Sequence, residues 1–144
     1  MRYVGELLSL GESGAQDRAL GEFFYAEESA QSSSIAVATP GTTYLSGTTR
    51  ALPVGFYLLT ATLAYAHQTA NRDVYVELVV DDVIVRTIRD RVSAGDIGYA
   101  LPGVIRKRVE ITVGGLTHTI LLRYYSSAGT SYMQNAELTL ERIS

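Results

Sequence analysis

The sequence predicts an all-β fold, two antiparallel sheets packed as a sandwich, with an N-terminal arm. Three observations carry that prediction. Apolar residues recur at every second position in about eight short runs. Gly, Pro, Asn and Asp punctuate the intervals between the runs, and no long stretch shows a helical period.

Residues 1–33 are expected to form the arm, and residues 34–144 the sandwich domain. The arm is rich in Gly, Ser, Ala and Glu, and its one helix-like stretch, residues 15–24, is weak and interrupted by Gly21. Its apolar cluster is Phe23, Phe24 and Tyr25. Adjacent aromatics in a polar segment are costly to leave in water, so they are expected to anchor the arm on another chain.

The strands follow in order. Residues 35–38 read as a short run ended by Pro40-Gly41, and residues 42–49 as a Thr-rich one broken at Gly47. Residues 56–67 form the longest run. Tyr57, Leu59, Ala61, Leu63 and Tyr65 share one face and Phe56, Leu58, Thr60, Thr62 and Ala64 the other. Both faces are substantially apolar, which places this strand at the centre of a sheet. Residues 74–80 and 83–88 flank Asp81-Asp82 as a tight hairpin. In residues 104–113, Ile105, Val109, Ile111 and Val113 point inward, Arg106, Arg108, Glu110 and Thr112 outward, and Lys107 interrupts the inward series. Gly114-Gly115 reads as a second hairpin turn, followed by 116–125 with His118, Ile120, Leu122 and Tyr124 on one face. Residues 132–143 close the chain. Tyr57, Leu59, Leu63, Val76, Leu78, Ile111, Ile120, Leu122, Leu138 and Leu140 are the expected core.

A chain of 144 residues without Cys must hold itself by its core. That is feasible, because a domain of this size buries roughly 68–70% of its unfolded surface. A net charge of −3 argues against a nucleic-acid partner. Leu7, Leu8 and Leu10 are too few for a signal segment or a membrane span. Ten Tyr against three Phe and no Trp suits half-buried strand faces and contact surfaces.

Catalysis needs converging ionisable groups, and the sequence offers little. His67 reads as a loop-edge residue, His118 as a hydrogen-bonded strand residue, and Asp81-Asp82 as a turn and not a cation site. No enzyme activity, cofactor or metal is expected. The unusual charge feature is Arg86, Arg89, Arg91 with Arg106, Lys107, Arg108, a basic concentration in an acidic chain. It suits an acidic partner surface, the acidic arm (Glu22, Glu27, Glu28) being an intramolecular or intersubunit candidate. Phe23, Phe24, Tyr25, Arg106 and Arg108 are therefore the candidate partner-binding residues.

Several segments match a known pattern in order. They are Leu52-Pro53-Val54-Gly55-Phe56-Tyr57, the hairpin around Asp81-Asp82, the run from Gly114 through His118-Thr119-Ile120, and the loop from Ser126 leading to the strand that ends at Ile143. From about residue 50 onward, the chain resembles the jelly-roll structural proteins of tailed bacteriophages, including capsid cement (decoration) proteins and fibre domains. A related pattern occurs in tumour-necrosis-factor-like trimers. The resemblance implies a virion structural protein, a cement subunit on the capsid exterior assembled in the host cytoplasm. It would bind the major capsid protein and stabilise the shell, as a homo-oligomer (dimer or trimer). The alternative is a receptor- or glycan-binding tail-fibre or head-fibre domain, with tyrosines stacking on sugars and the 126–131 loop carrying specificity. The shared motifs are framework, so no binding residue carries over.

Overall fold

The computed structural model describes residues 21–93 and 100–144. Within them run the strands β1 (Gly21–Glu28), β2 (Ser32–Ser34), β3 (Thr42–Thr48), β4 (Gly55–His67), β5 (Arg72–Val80), β6 (Val83–Val92), β7 (Leu101–Ile111), β8 (Thr119–Ser126) and β9 (Ser131–Arg142). All ladders are antiparallel. One sheet has the order β3-β8-β5-β6 and the other β1-β9-β4-β7, with β2 pairing β9 beyond the end of β1. Among the eight longer strands, only β5 and β6 are consecutive neighbours in one sheet. Every other link crosses between sheets, which makes the sandwich a jelly roll.

The period-two pattern builds this core. Tyr57, Leu59, Leu63, Val76, Leu78, Ile111, Ile120, Leu122, Leu138 and Leu140 are all buried between the sheets, as their placement predicts. Strand β4 lies between β9 and β7, as its two apolar faces require. The tyrosine-rich composition also has a physical outlet. Tyr57 donates its hydroxyl to Pro53 O at 2.7 Å, Tyr65 bonds Asp90, and Tyr124 shares a hydrogen with Ser32 Oγ at 2.6 Å. The rings fill the interior while their hydroxyls find polar groups at its rim.

The segment expected to be an arm is divided. Residues 1–20 lie outside the described residues, but β1 and β2 are strands of the five-stranded sheet. A bulge pairs Leu140 with Phe24 and Glu141 with Glu22, leaving Phe23 as the extra residue. Bulges re-aim side chains. Phe23 is buried edge-on against Tyr57 with centroids 5.7 Å apart, and Phe24 packs against the core over Gly47. The helix-like reading does not hold for residues 21–24, whose backbone groups are taken by β9.

Three other expectations are corrected. Gly114-Gly115 is not a hairpin: β7 ends in one sheet and β8 begins in the other. Gly115, at φ 85°, turns the chain so that its N–H donates to Leu52 O at 2.9 Å, and Leu52 bridges Leu116. Val113, expected inward, lies exposed in that link. Residues 35–38 form no strand, and Ile35 and Val37 are exposed in a loop after β2.

Candidate functional site

The outer face of the five-stranded sheet carries the most site-like geometry. Register places the outward residues in rows across its strands. From one end, these are Glu141–Leu58–Arg108, then Tyr25–Thr139–Thr60–Arg106, then Glu27–Glu137–Thr62–Val104. Next come Gln134–Ala64–Pro102 and Tyr132–Ala66. At these last two rows the face sinks into a cleft of about 350 Å³.

Small side chains make the cleft. Ala64 and Ala66 form its floor, where Phe56 and Leu58 would stand further along the same strand. Tyr132 and Gln134 rise from β9, Gln31 comes from the β1–β2 loop and Gln68 from the loop after β4. Tyr65, Ala100 and Met133 also line it, and among the described residues the lining holds no acid, Lys, Arg or His. Three amides and the Tyr132 phenol around an apolar floor can donate and accept hydrogen bonds without fixed charge. The sequence reading missed this cleft because its residues come from two strands and separate loops. The available signal was the Ala64/Ala66 alternation on an otherwise bulky strand face.

The expected partner-binding residues separate into two groups. Phe23 and Phe24 are inside the sandwich, with the Arg50 guanidinium 4.3 Å from the Phe23 ring centroid. Both rings are turned toward this chain's own core, Phe23 buried and Phe24 partly so. Tyr25, Arg106 and Arg108 all lie on the outer face, Tyr25 and Arg106 in one row. Tyr25 donates to Glu27 Oε1 at 3.2 Å, and the Arg108 guanidinium lies 4.0 Å above the Phe56 ring.

The basic cluster is brought together by topology. Strands β6 and β7 are the edges of the two sheets on the same side of the sandwich. Arg89 and Arg91 both bind Asp73, at 3.0 and 3.2 Å. On the outer face of the four-stranded sheet, Tyr75 and Tyr125 stack at 4.6 Å and Arg123 pairs with Glu77 at 3.2 Å. Burial, with Glu77 and Tyr75 nearby, pushes the Tyr125 phenol above its ordinary 10.0.

His67 ends β4 at the loop edge, as expected, but is fully buried there. The Thr69 N–H donates to its Nδ1 at 2.9 Å, which leaves Nε2–H to donate to Ala128 O at 2.6 Å. It fastens the 126–131 loop. His118 Nδ1 bonds Asp81 Oδ2 at 2.6 Å. Among the described residues, no group of three or more His, Asp or Glu is placed to hold a metal ion, and no helix is long and apolar enough to cross a membrane.

No protein-family model matches the chain, and no curated protein does. Solved structures do. Dimeric latent PorU from Porphyromonas gingivalis aligns over 90% of this chain at 10% identity and TM-score 0.55, and this chain spans only 14% of that one. The VP2 subviral particle of infectious bursal disease virus aligns over 90% of this chain and 34% of its own, at 14% identity and TM-score 0.52. A family 35 carbohydrate-binding module from Clostridium thermocellum aligns over 80% of this chain and 97% of its own, at 16% identity and TM-score 0.46. At these identities the likeness is one of fold.

Proposed function

We propose that this chain is a receptor-binding module that recognises a neutral glycan in the outer-face cleft. The observation that carries the reading is the cleft's chemistry: Ala64 and Ala66 below, Tyr132 beside, and the amides of Gln31, Gln68 and Gln134 around it. Sugar hydroxyls both donate and accept, and a primary amide matches both roles. Sugar rings also present C–H faces that pack on small apolar groups and phenol rings. The volume of about 350 Å³ falls at the small end of the range for ligand sites, roughly 300–1,000 Å³. The reading is one of binding alone, with no catalytic residue.

A glycan array followed by calorimetric titration tests it. At least one neutral saccharide should bind, and Tyr132→Ala and Gln134→Ala should each weaken it about tenfold, the scale of 1.4 kcal/mol. Absence of binding across neutral saccharides, or binding untouched by both changes, overturns the assignment.

A second reading, a cement subunit on the exterior of a phage capsid, has its own observation. Val54, Val113 and Leu116 are exposed beside one another where 113–116 runs along Leu52 and Val54. Such aliphatics suit burial against a protein surface such as a major capsid protein. Binding restricted to the assembled shell would stabilise it by mass action. Co-sedimentation with empty shells, lost on Val113→Asp/Leu116→Asp, is the expected result. A parent chain that stays in the supernatant removes this reading.

A further inference from the structure

We infer that the outer face of the five-stranded sheet is self-complementary and docks a second copy of this chain in a closed twofold pair. This rests on the charged rows of the face and not on the cleft, whose rows lie toward the other end of the same strands. The face has an acidic side and a basic side. Glu27 on β1 and Glu137 and Glu141 on β9 are exposed on one side; Arg106 and Arg108 on β7 are exposed on the other. The acid on the basic strip is Glu110, opposite Phe56. Leu58, Thr60 and Thr62 of β4 run between the two sides and carry no charge.

The two sides cannot neutralise each other within one chain. Glu141 and Arg108 both flank Leu58, so they stand two strand spacings apart, roughly 10 Å. That is about the screening length in 0.1 M salt. On the acidic side, Glu27 and Glu137 are direct cross-strand neighbours, a like-charge arrangement that weakens an isolated sheet. Arg106 has no hydrogen-bond or ion partner among the described residues.

Symmetry then selects the occupant. A twofold axis lying in the contact plane and running along the strands, over β4, exchanges β9 with β7. It sets the Glu137–Glu141 column of β9 in one copy against the Arg106–Arg108 column of β7 in the other, twice, with Glu27 at the outer margin. The contact is isologous and closes at two. The uncharged β4 column, Leu58, Thr60 and Thr62, lies at its centre, where sheet-on-sheet packing leaves about 10 Å between backbones. An axis across the strands would set acid on acid, so the charge pattern allows one arrangement and opposes the other.

The test is the mass of the full chain in solution, by sedimentation velocity and light scattering. The parent should run as a dimer at about 0.1 M salt and weaken by roughly tenfold or more near 1 M, where screening shortens to about 3 Å. Arg106→Glu/Arg108→Glu should be monomeric, and so should Glu137→Lys/Glu141→Lys. The milder Arg106→Gln/Arg108→Gln should also dissociate more readily than the parent. Mixing the two reversal variants should restore a one-to-one pair, since the acidic columns of one then meet the basic columns of the other. All four residues are exposed, and unchanged thermal unfolding will show that the variants remain folded. A monomeric parent, a larger ring, reversal variants that still self-associate, or a mixture that stays monomeric each overturns the inference.

Discussion

The imidazole of His118 lies with Nδ1 2.6 Å from Asp81 Oδ2, tying the β5–β6 turn to the approach of β8. The same carboxylate accepts the Thr119 N–H at 2.9 Å, and the Asp81 N–H donates to Thr119 O at 2.9 Å. One turn residue thus fixes where β8 begins. Asp81→Ala removes both carboxylate bonds and should cost about 1–2 kcal/mol in urea unfolding, discounted for the exposure of this turn. A loss below a few tenths of a kcal/mol would mean that water replaces them.

Acid should erase that difference. Burial pushes the Asp81 carboxyl upward, but the bonds from His118 and the Thr119 amide outweigh it and hold the pKa below 3.8. As pH falls, the unfolded chain therefore takes up the proton first. The contribution of Asp81 is fully present above the ordinary carboxylate value and is lost as pH drops through the lowered folded value. Below about pH 4 the stability gap between parent and Asp81→Ala should narrow as pH falls. A gap that widens below about pH 4 would reverse the assignment.

The neighbouring position offers a stabilising change. Asp82 sits at φ 66° after Asp81 at φ 49°, the type I′ geometry that matches strand twist. A residue with a Cβ pays conformational energy there, and Gly does not. Asp82 has no hydrogen bond to lose among the described residues. Asp82→Gly should raise stability by roughly 0.5–1 kcal/mol, seen as a melting shift of about 2–4 °C or less. A lower melting temperature would show that Asp82 has a role outside the turn.

Much of this architecture was legible because a strand with one wet face writes its orientation into alternate residues. Leu138 and Leu140 read correctly for that reason, with Glu137 and Glu141 exposed between and beyond them. The partner of a strand is not written there. Gly114-Gly115 looks locally like a hairpin, and only the pairing of Leu52 with Leu116 shows a link between sheets. Phe23-Phe24-Tyr25 misled in another way. A regular strand would have to split three adjacent aromatics between faces, whereas the bulge turns both Phe residues inward and leaves Tyr25 out. The cleft was the least legible feature, because its floor is two alanines whose significance depends on Tyr132 and Gln134 beside them.

That division within β1 can be measured. Phe23 is 9% exposed and Tyr25 47% exposed. Phe23→Ala removes the contact with Tyr57 and opens a cavity, so it should cost about 3–5 kcal/mol. Tyr25→Ala should change stability by less than about 1 kcal/mol, and its effect should fall on association instead. Equal and small effects from both would return Phe23 to a peripheral arm.

The outer face of the four-stranded sheet allows the sharpest energetic test. Glu77 is buried at 1% exposure and its charge is met by Arg123 Nε at 3.2 Å. Arg123 covers the carboxylate and is itself largely buried. Removing one member leaves a charge with no partner in a dry setting, whereas removing both leaves two aliphatic stems on adjacent strands. Arg123→Leu should therefore cost about 3–5 kcal/mol, and Glu77→Leu somewhat less, because Arg123 can reach solvent. The double variant Glu77→Leu/Arg123→Leu should recover most of the loss, since a packed apolar pair often equals or exceeds a buried ion pair in stability. A double-mutant cycle in urea gives the coupling directly. If the double variant is as unstable as the two single changes added together, the ion pair is not what holds Glu77 in place.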